Sequence, residues 1–279
     1  MLVVLFTFFL IFSFYFFQPK KDIKVRLQEY IQVQKQKEIL KDISLYVKSL
    51  KTEKSLGIQE NKEYYAASLQ KLPILFIFLS EAEKDPAILK KELIFTEEIY
   101  EVLKEQNQYP PIIDPLIINQ RYTVEDLLSR LIVFSDNYPL ILFDKYLPNI
   151  LYKKDTVLSK IRLLQKGGDV RYFSTFDYSK LFFHLYHSSI LSKEMSEKAL
   201  DMLSKADFKK GLVAGIPGKV KVAHKFGIQG NEGEEVELSD CGIVYSDSPY
   251  SICVITLGTH VHDLEEVIKN ISTIVYKNF

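Results

Sequence analysis

The sequence has no surplus of charge. Lysine and arginine total 36, aspartate and glutamate total 36, and the chain of 279 residues is formally neutral. A protein that grips nucleic acid needs a basic block or stripe, and with none here that class of partner is set aside. Metal ligands are also scarce: there are two cysteines and five histidines. His184 and His187 are spaced to share a helix face and His260 with His262 form an H-x-H. Neither pair has cysteine or carboxylate companions at a metal-binding spacing, so no metal and no cofactor is expected. His224 reads as a strand residue. If Tyr245 opposes Tyr250 in a hairpin, Cys241 and Cys253 are offset by one residue and point to opposite faces, so no disulfide is expected either. No internal repeat or low-complexity tract comes after the N-terminal region, and the 17 tyrosines and 19 phenylalanines are scattered as packing residues are.

What is present begins with an apolar run. Met1 to Phe17 carries no charge, and its length just suffices to cross a bilayer, so residues 1–20 read as a membrane anchor or an uncleaved signal. No small-x-small cleavage site comes after it. Lys20, Lys21, Lys24 and Arg26 stand directly beyond the run, which on the positive-inside rule argues against export of the rest of the chain. Residues 21–41 are rich in Gln, Lys and Glu, with Ile23, Leu27, Tyr30 and Ile31 on one helical face, and read as a helical stalk or first helix. Residues 42–279 form one globular domain.

Within that domain, Ser68 and Lys71 stand three residues apart, within reach of each other on one helical face. The segment after Lys71 (Leu72, Ile74, Leu75, Phe76, Ile77, Phe78, Leu79) is apolar almost all round, which marks a buried helix. A serine hydroxyl is a weak nucleophile until a base activates it, and a lysine can act as that base once burial lowers its pKa. Ser135-Asp136-Asn137 comes after an amphipathic run, and Lys225-Phe226-Gly227 ends a strand-like run. Strand patterns at Ile43–Leu50, Ser55–Glu60, Lys219–Ile228, Glu237–Tyr245 and Tyr250–Leu257, with an amphipathic helix over Asp263–Tyr276, predict an α/β (α+β) protein. One antiparallel sheet is flanked by terminal helices, beside an all-helical lobe.

The order S-x-x-K, S-D-N, K-x-G resembles the signature set of class A β-lactamase-like serine hydrolases within the penicillin-recognising superfamily, and the likeness runs from about Asp42 to the C-terminus. It implies a β-lactamase/transpeptidase-like fold in which Ser68 is acylated, Lys71 takes its proton, and the backbone N–H groups of Ser68 and Ile228, after Gly227, form the oxyanion hole. Ser135 would relay a proton to the departing nitrogen. Lys225 would hold Ser135 and the substrate carboxylate, Asn137 would bind the substrate's amide side chain, and Asp136 would orient its loop. The implied partner is a β-lactam or a peptidoglycan-peptide-like amide, met by a monomer in the cell envelope.

Two departures stand out. Phe226 replaces a hydroxyl that in the family contacts the substrate carboxylate. No glutamate lies between Asn137 and Glu194, whereas class A enzymes use one to activate the deacylating water; Asp169 is the one stand-in considered. The implied activity is therefore a serine hydrolase with slow deacylation. A D,D-peptidase-like protein and a non-catalytic binding protein of the same fold are the rivals.

Overall fold

The computed structural model describes residues 22–106, 109–153 and 172–279; the expected anchor over residues 1–20 and Asp169 lie outside them. Among the described residues no helix is long and apolar enough to cross a membrane. The chain begins with α1 (Ile23–Gln36), then β1 (Asp42–Ser49), β2 (Ser55–Ile58), β3 (Glu63–Tyr65) and a 3-10 turn, Ala67–Gln70. Next come α2 (Lys71–Ala82), α3 (Ala87–Lys90), β4 (Glu92–Ile94), α4 (Glu97–Leu103), β5 (Arg121–Thr123), α5 (Val124–Val133), α6 (Tyr138–Tyr146) and α7 (Pro148–Leu151). The last part holds β6 (Tyr172–Ser174), α8 (Thr175–His187), α9 (Lys193–Ser204), a 3-10 turn at Val213–Gly215, β7 (Val222–Gly230), β8 (Val236–Val244), β9 (Tyr250–Gly258) and α10 (Val261–Asn278).

Five strands form one antiparallel sheet in the order β2-β1-β9-β8-β7. Directly opposed residues present their side chains to the same face, so the register sorts the sheet into alternating rows. The row Leu45, Val254, Asp240, Phe226 faces α1 and α10, where Leu27, Val267, Ile268 and Ile271 complete one apolar core. The next row, Tyr46, Cys253, Cys241, Lys225, faces the helical lobe, whose core gathers around α2, α5 and α8. Residues 21–41 do supply a helix, with Leu27 and Ile31 buried and Arg26 donating to the Asn278 side chain at 2.6 Å. That ties the helix onto α10 as part of the domain.

Local chemistry explains where the helices start. Thr123 and Asp126 form a reciprocal capping box at α5, while Ser174 and Ser192 accept the third backbone N–H of α8 and α9. Helix α2 is buried along nearly its whole length, from Lys71 through Leu79 to Ala82, and Pro73 sits in its first turn, where no backbone donor is missed.

The cysteines require a correction. Cys241 and Cys253 are joined by a disulfide, with Cα atoms 3.9 Å apart. The hairpin pairs Val244, not Tyr245, with Tyr250. That one-residue shift brings the two cysteines directly opposite each other on one face.

Candidate active site

Ser68 lies half-buried in the 3-10 turn that leads into α2. The turn is tight enough to hold Ala67 at φ 43°, in the left-handed region that alanine avoids. Tyr178, buried on α8, braces it from below by donating its hydroxyl to the Leu69 carbonyl at 2.9 Å. This support is not visible in the sequence, where Tyr178 is one aromatic among many.

Lys71 opens α2 and is 2% exposed. Its Nζ donates to Asn137 Oδ1 at 2.6 Å, to Ser135 Oγ at 3.0 Å and to the Ser135 carbonyl. All three donors of the ammonium are thus committed to the S-D-N loop, and none is left for Ser68 in this arrangement. Burial pushes the Lys71 pKa down to about 7, against the opposing pull of the Asp136 charge.

Ser135 occupies the turn just beyond α5, at φ 56°, and is nearly buried. Its conformation is fixed by Asp136, which is fully buried. Asp136 accepts from Arg130 Nε at 3.0 Å and from the Tyr138 backbone N–H at 3.0 Å, which ties the end of α5 to the start of α6 across the loop. Asn137 is held on its other side by Gln106, 3.0 Å away.

Lys225 reaches across from β7 and donates to Ser135 Oγ at 2.9 Å and to the Phe226 carbonyl at 2.7 Å. It is completely buried. Its pKa is driven well below the ordinary lysine value by burial first and the Lys71 cation second, with Asp240 opposing. One serine hydroxyl is therefore bracketed by two lysines, both biased toward the neutral amine.

Gly227 explains why the third motif ends in glycine. A Cβ there would stand 2.9 Å from Ser239 Oγ, 3.2 Å from the Leu69 nitrogen and 3.3 Å from the Ser68 nitrogen. Strand β7 thus touches the backbone of the serine's own turn, which no side chain would allow. Because β7 is the edge of the sheet, part of its backbone is left without a strand partner beside Ser68, and Ile228 comes next on that edge.

The structure therefore brings Ser68, Lys71, Ser135, Asn137, Lys225 and Gly227 into one cleft between sheet and helical lobe. His224 points the other way: on the α10 side of the sheet it is buried, with Nδ1 2.7 Å from Asp240 Oδ1. His260 meets Glu232 at 3.0 Å and His184 meets Ser189 at 2.6 Å. Among the described residues no cluster of three or more metal-ligating side chains occurs.

A serine-bearing turn, two desolvated lysines and a bridging serine on this sheet-and-helix scaffold define a serine-hydrolase-like enzyme of β-lactamase fold. Residues 22–279 match the beta-lactamase enzyme family, and the chain belongs to it. Among solved structures it is similar to PBP-A, with 20% identity over 93% of this chain and 97% of that one and a TM-score of 0.72. A class A β-lactamase from Mycobacterium abscessus is 15% identical over 92% and 98% of the two chains, with a TM-score of 0.73. The TLA-3 extended-spectrum β-lactamase is 19% identical over 91% and 97%, with a TM-score of 0.76. At such identities the likeness is one of fold. No curated protein sequence matches the chain.

Proposed function

We propose that the protein is a serine acyl hydrolase of the class A β-lactamase type, acylated at Ser68 by β-lactams or related cell-wall amides. The observation that carries this is the Lys71–Ser135–Lys225 network, in which burial has brought a lysine's pKa to about 7. In its neutral form Lys71 takes the Ser68 proton while Ser68 Oγ bonds to the carbonyl carbon. The backbone N–H groups of Ser68 and Ile228 receive the negative charge that develops on the carbonyl oxygen. When the tetrahedral intermediate collapses, the bond to the leaving nitrogen breaks. The proton held on Lys71 passes through Ser135 Oγ, 3.0 Å away, to that nitrogen, and Lys71 is neutral again. In this reading Asn137 binds the acyl side chain once Lys71 releases it.

A second reading is favoured by one specific feature. With no glutamate between Asn137 and Glu194, the side chain that class A enzymes use to activate water is missing from that stretch, so the acyl-enzyme should be long-lived and the protein D,D-peptidase-like. A PBP-A mutant, 20% identical to this chain with a TM-score of 0.72, was solved as an acyl-enzyme complex with penicillin G. The Cys241–Cys253 disulfide suits an oxidising compartment, in keeping with a cell-envelope location and an anchor over residues 1–20. Intact-protein mass spectrometry with excess benzylpenicillin tests both readings. A transient adduct with accumulating penicilloate supports the hydrolase, a lasting adduct supports the peptidase-like reading, and an adduct that persists in Ser68→Ala refutes the nucleophile.

A further inference from the structure

In the acylation step proposed above, the leaving nitrogen takes its proton from Ser135 Oγ, so the leaving group departs toward the end of the cleft where Ser135 meets Lys225. The cleft is the gap between the sheet and the helical lobe. At this end the gap is bridged, and the bridge is made of two connections that approach from opposite sides.

The first connection belongs to the helical lobe. Gln106, just past the end of α4, accepts from Asn137 Nδ2 at 3.0 Å. Three positions further on, Tyr109 is attached to the sheet side: its ring packs with the apolar cluster of α1 and α10, and its hydroxyl donates to Glu265 Oε1, near the start of α10, at 2.5 Å. By Asp114 the chain is back on the helical lobe, where its carbonyl accepts from Arg130. The second connection joins α9 to β7. The Asp207 N–H donates to the carbonyl of Val133, two residues before Ser135, at 2.9 Å. Lys210 then donates to the Tyr109 hydroxyl at 2.9 Å and stands 3.5 Å from Glu265 Oε2.

This bridge is closed by default. Glu265 is 2% exposed, so its carboxylate relies on neighbouring donors in place of water. Tyr109 and Lys210 supply them, with His262 Nδ1 at 3.6 Å. A hydroxyl bonded to a carboxylate with a cation beside both is among the stronger hydrogen-bonded arrangements. Drawing Tyr109 away removes one of the few donors of a buried charge.

We propose that Tyr109, Lys210 and Glu265 form a clasp across the leaving-group end of the cleft, and that it restricts the acyl donors of Ser68 to those with a compact leaving group. A small amine, alcohol or thiol fits this description, as does the ring nitrogen of a β-lactam, which stays joined to the acyl part. A peptide that continues beyond the scissile bond meets the clasp. The inference rests on the acyl-enzyme reading above and narrows its substrate class. A tie that merely held the two lobes together would affect every donor alike, whereas the clasp discriminates by the length of what leaves.

The test uses two thioesters of phenylacetylglycine and the full-length protein. One releases N-methylmercaptoacetamide and the other mercaptoacetyl-tetraalanine amide, so the thiols are matched at sulfur and the adduct on Ser68 is the same. In both, Ser68 Oγ bonds to the carbonyl carbon, the C–S bond breaks and the thiol leaves with the proton. Second-order acylation rates are read by intact mass, with benzylpenicillin as the check that a variant keeps its site. The wild-type protein is expected to react about tenfold or more faster with the short donor than with the long one. Tyr109→Ala should lower that ratio several-fold, by speeding the long donor, and leave the benzylpenicillin rate within about twofold of wild type. Tyr109→Phe, which keeps the ring and loses only the hydroxyl, should lower the ratio part of the way. Equal rates for the two thioesters in the wild-type protein overturn the proposal. So does a wild-type ratio in the Tyr109 variants that still form the benzylpenicillin adduct, or a benzylpenicillin adduct with none from the short thioester. No adduct on Ser68 from any of the three compounds overturns the acyl-enzyme reading itself, and the inference with it.

Discussion

If Lys71 is the base, acylation must track its titration. The perturbation is pH alone. An ordinary lysine, with a pKa near 10.5, would be neutral in roughly one molecule in 3000 at pH 7. With its pKa lowered to about 7 by burial, about half the molecules carry the free amine, a gain on the order of 10³ in competent protein. Only the neutral amine can accept the Ser68 proton, so the rate rises with pH, reaches half its plateau near pH 7 and levels off by about pH 8–9. Between pH 7 and pH 5 the neutral fraction drops from about one half to about one hundredth, so the rate should fall roughly 50-fold. The assay is stopped-flow acylation with a chromogenic β-lactam, each point checked by mass for the Ser68 adduct. Stability carries the same signature. Because the folded pKa lies below the unfolded one, the folded state binds fewer protons between pH 7 and 10.5 and gains stability as pH rises through that window, by roughly 5 kcal/mol in all. A rate that keeps climbing tenfold per unit to pH 10, or one that is flat from pH 5 to 7, would refute Lys71 as a desolvated base.

Gly227→Ala places a methyl group 3.2–3.3 Å from the backbone nitrogens of Leu69 and Ser68; acylation should fall by about 10–100-fold while denaturant melts show a loss of only about 1–3 kcal/mol, and unchanged acylation would remove the oxyanion role given to this edge. Arg130→Met leaves Asp136, fully buried, without its 3.0 Å partner, and should cost about 3–5 kcal/mol in urea unfolding; a loss below 1 kcal/mol would mean the pair does not fix the S-D-N loop. Reducing the Cys241–Cys253 bond opens a loop of sequence separation 12, already partly ordered by the hairpin, so the cost should be about 1–3 kcal/mol by thermal melt; two free thiols titrated in the native, unreduced protein would show that the bond is absent.

Much of the fold was legible because the strands advertise themselves by composition and end at polar turns. Val222–Gly230, Val236–Val244 and Tyr250–Gly258 each lie within a few residues of the expected runs. That the three motifs meet was legible through their order: Ser68, Ser135 and Lys225 are far apart in sequence, and each motif alone is an ordinary cap, turn or strand end. What could not be read was anything decided by register or by tertiary approach. A one-residue change in where the β8–β9 hairpin turns reversed the prediction for both cysteines. The hydroxyl of Tyr178 on the turn that carries Ser68 and the pairing of Tyr109 with Glu265 join residues more than 100 positions apart, and no local pattern marks either. The capture of all three Lys71 donors by Ser135 and Asn137 was hidden in the same way, since spacing shows who can meet but not who wins.

The apolar character of α2 and the low pKa of Lys71 are a single physical fact. Leu75 lies one turn after Lys71 on the same helical face, wholly buried, and side chains four residues apart on a helix cover each other. Removing its branched end should therefore do two separable things. Leu75→Ala opens a cavity in the core, which costs about 2–5 kcal/mol. It also lets water nearer to the Lys71 ammonium, which restores part of the lost hydration and moves the pKa back up toward the ordinary value. Acylation at pH 7 should then fall while the alkaline plateau is kept, and the half-maximal point should move to higher pH, although no hydrogen bond of the site has been touched. If the same loss of stability came with an unmoved half-maximal pH, burial by α2 would not be what lowers the lysine's pKa.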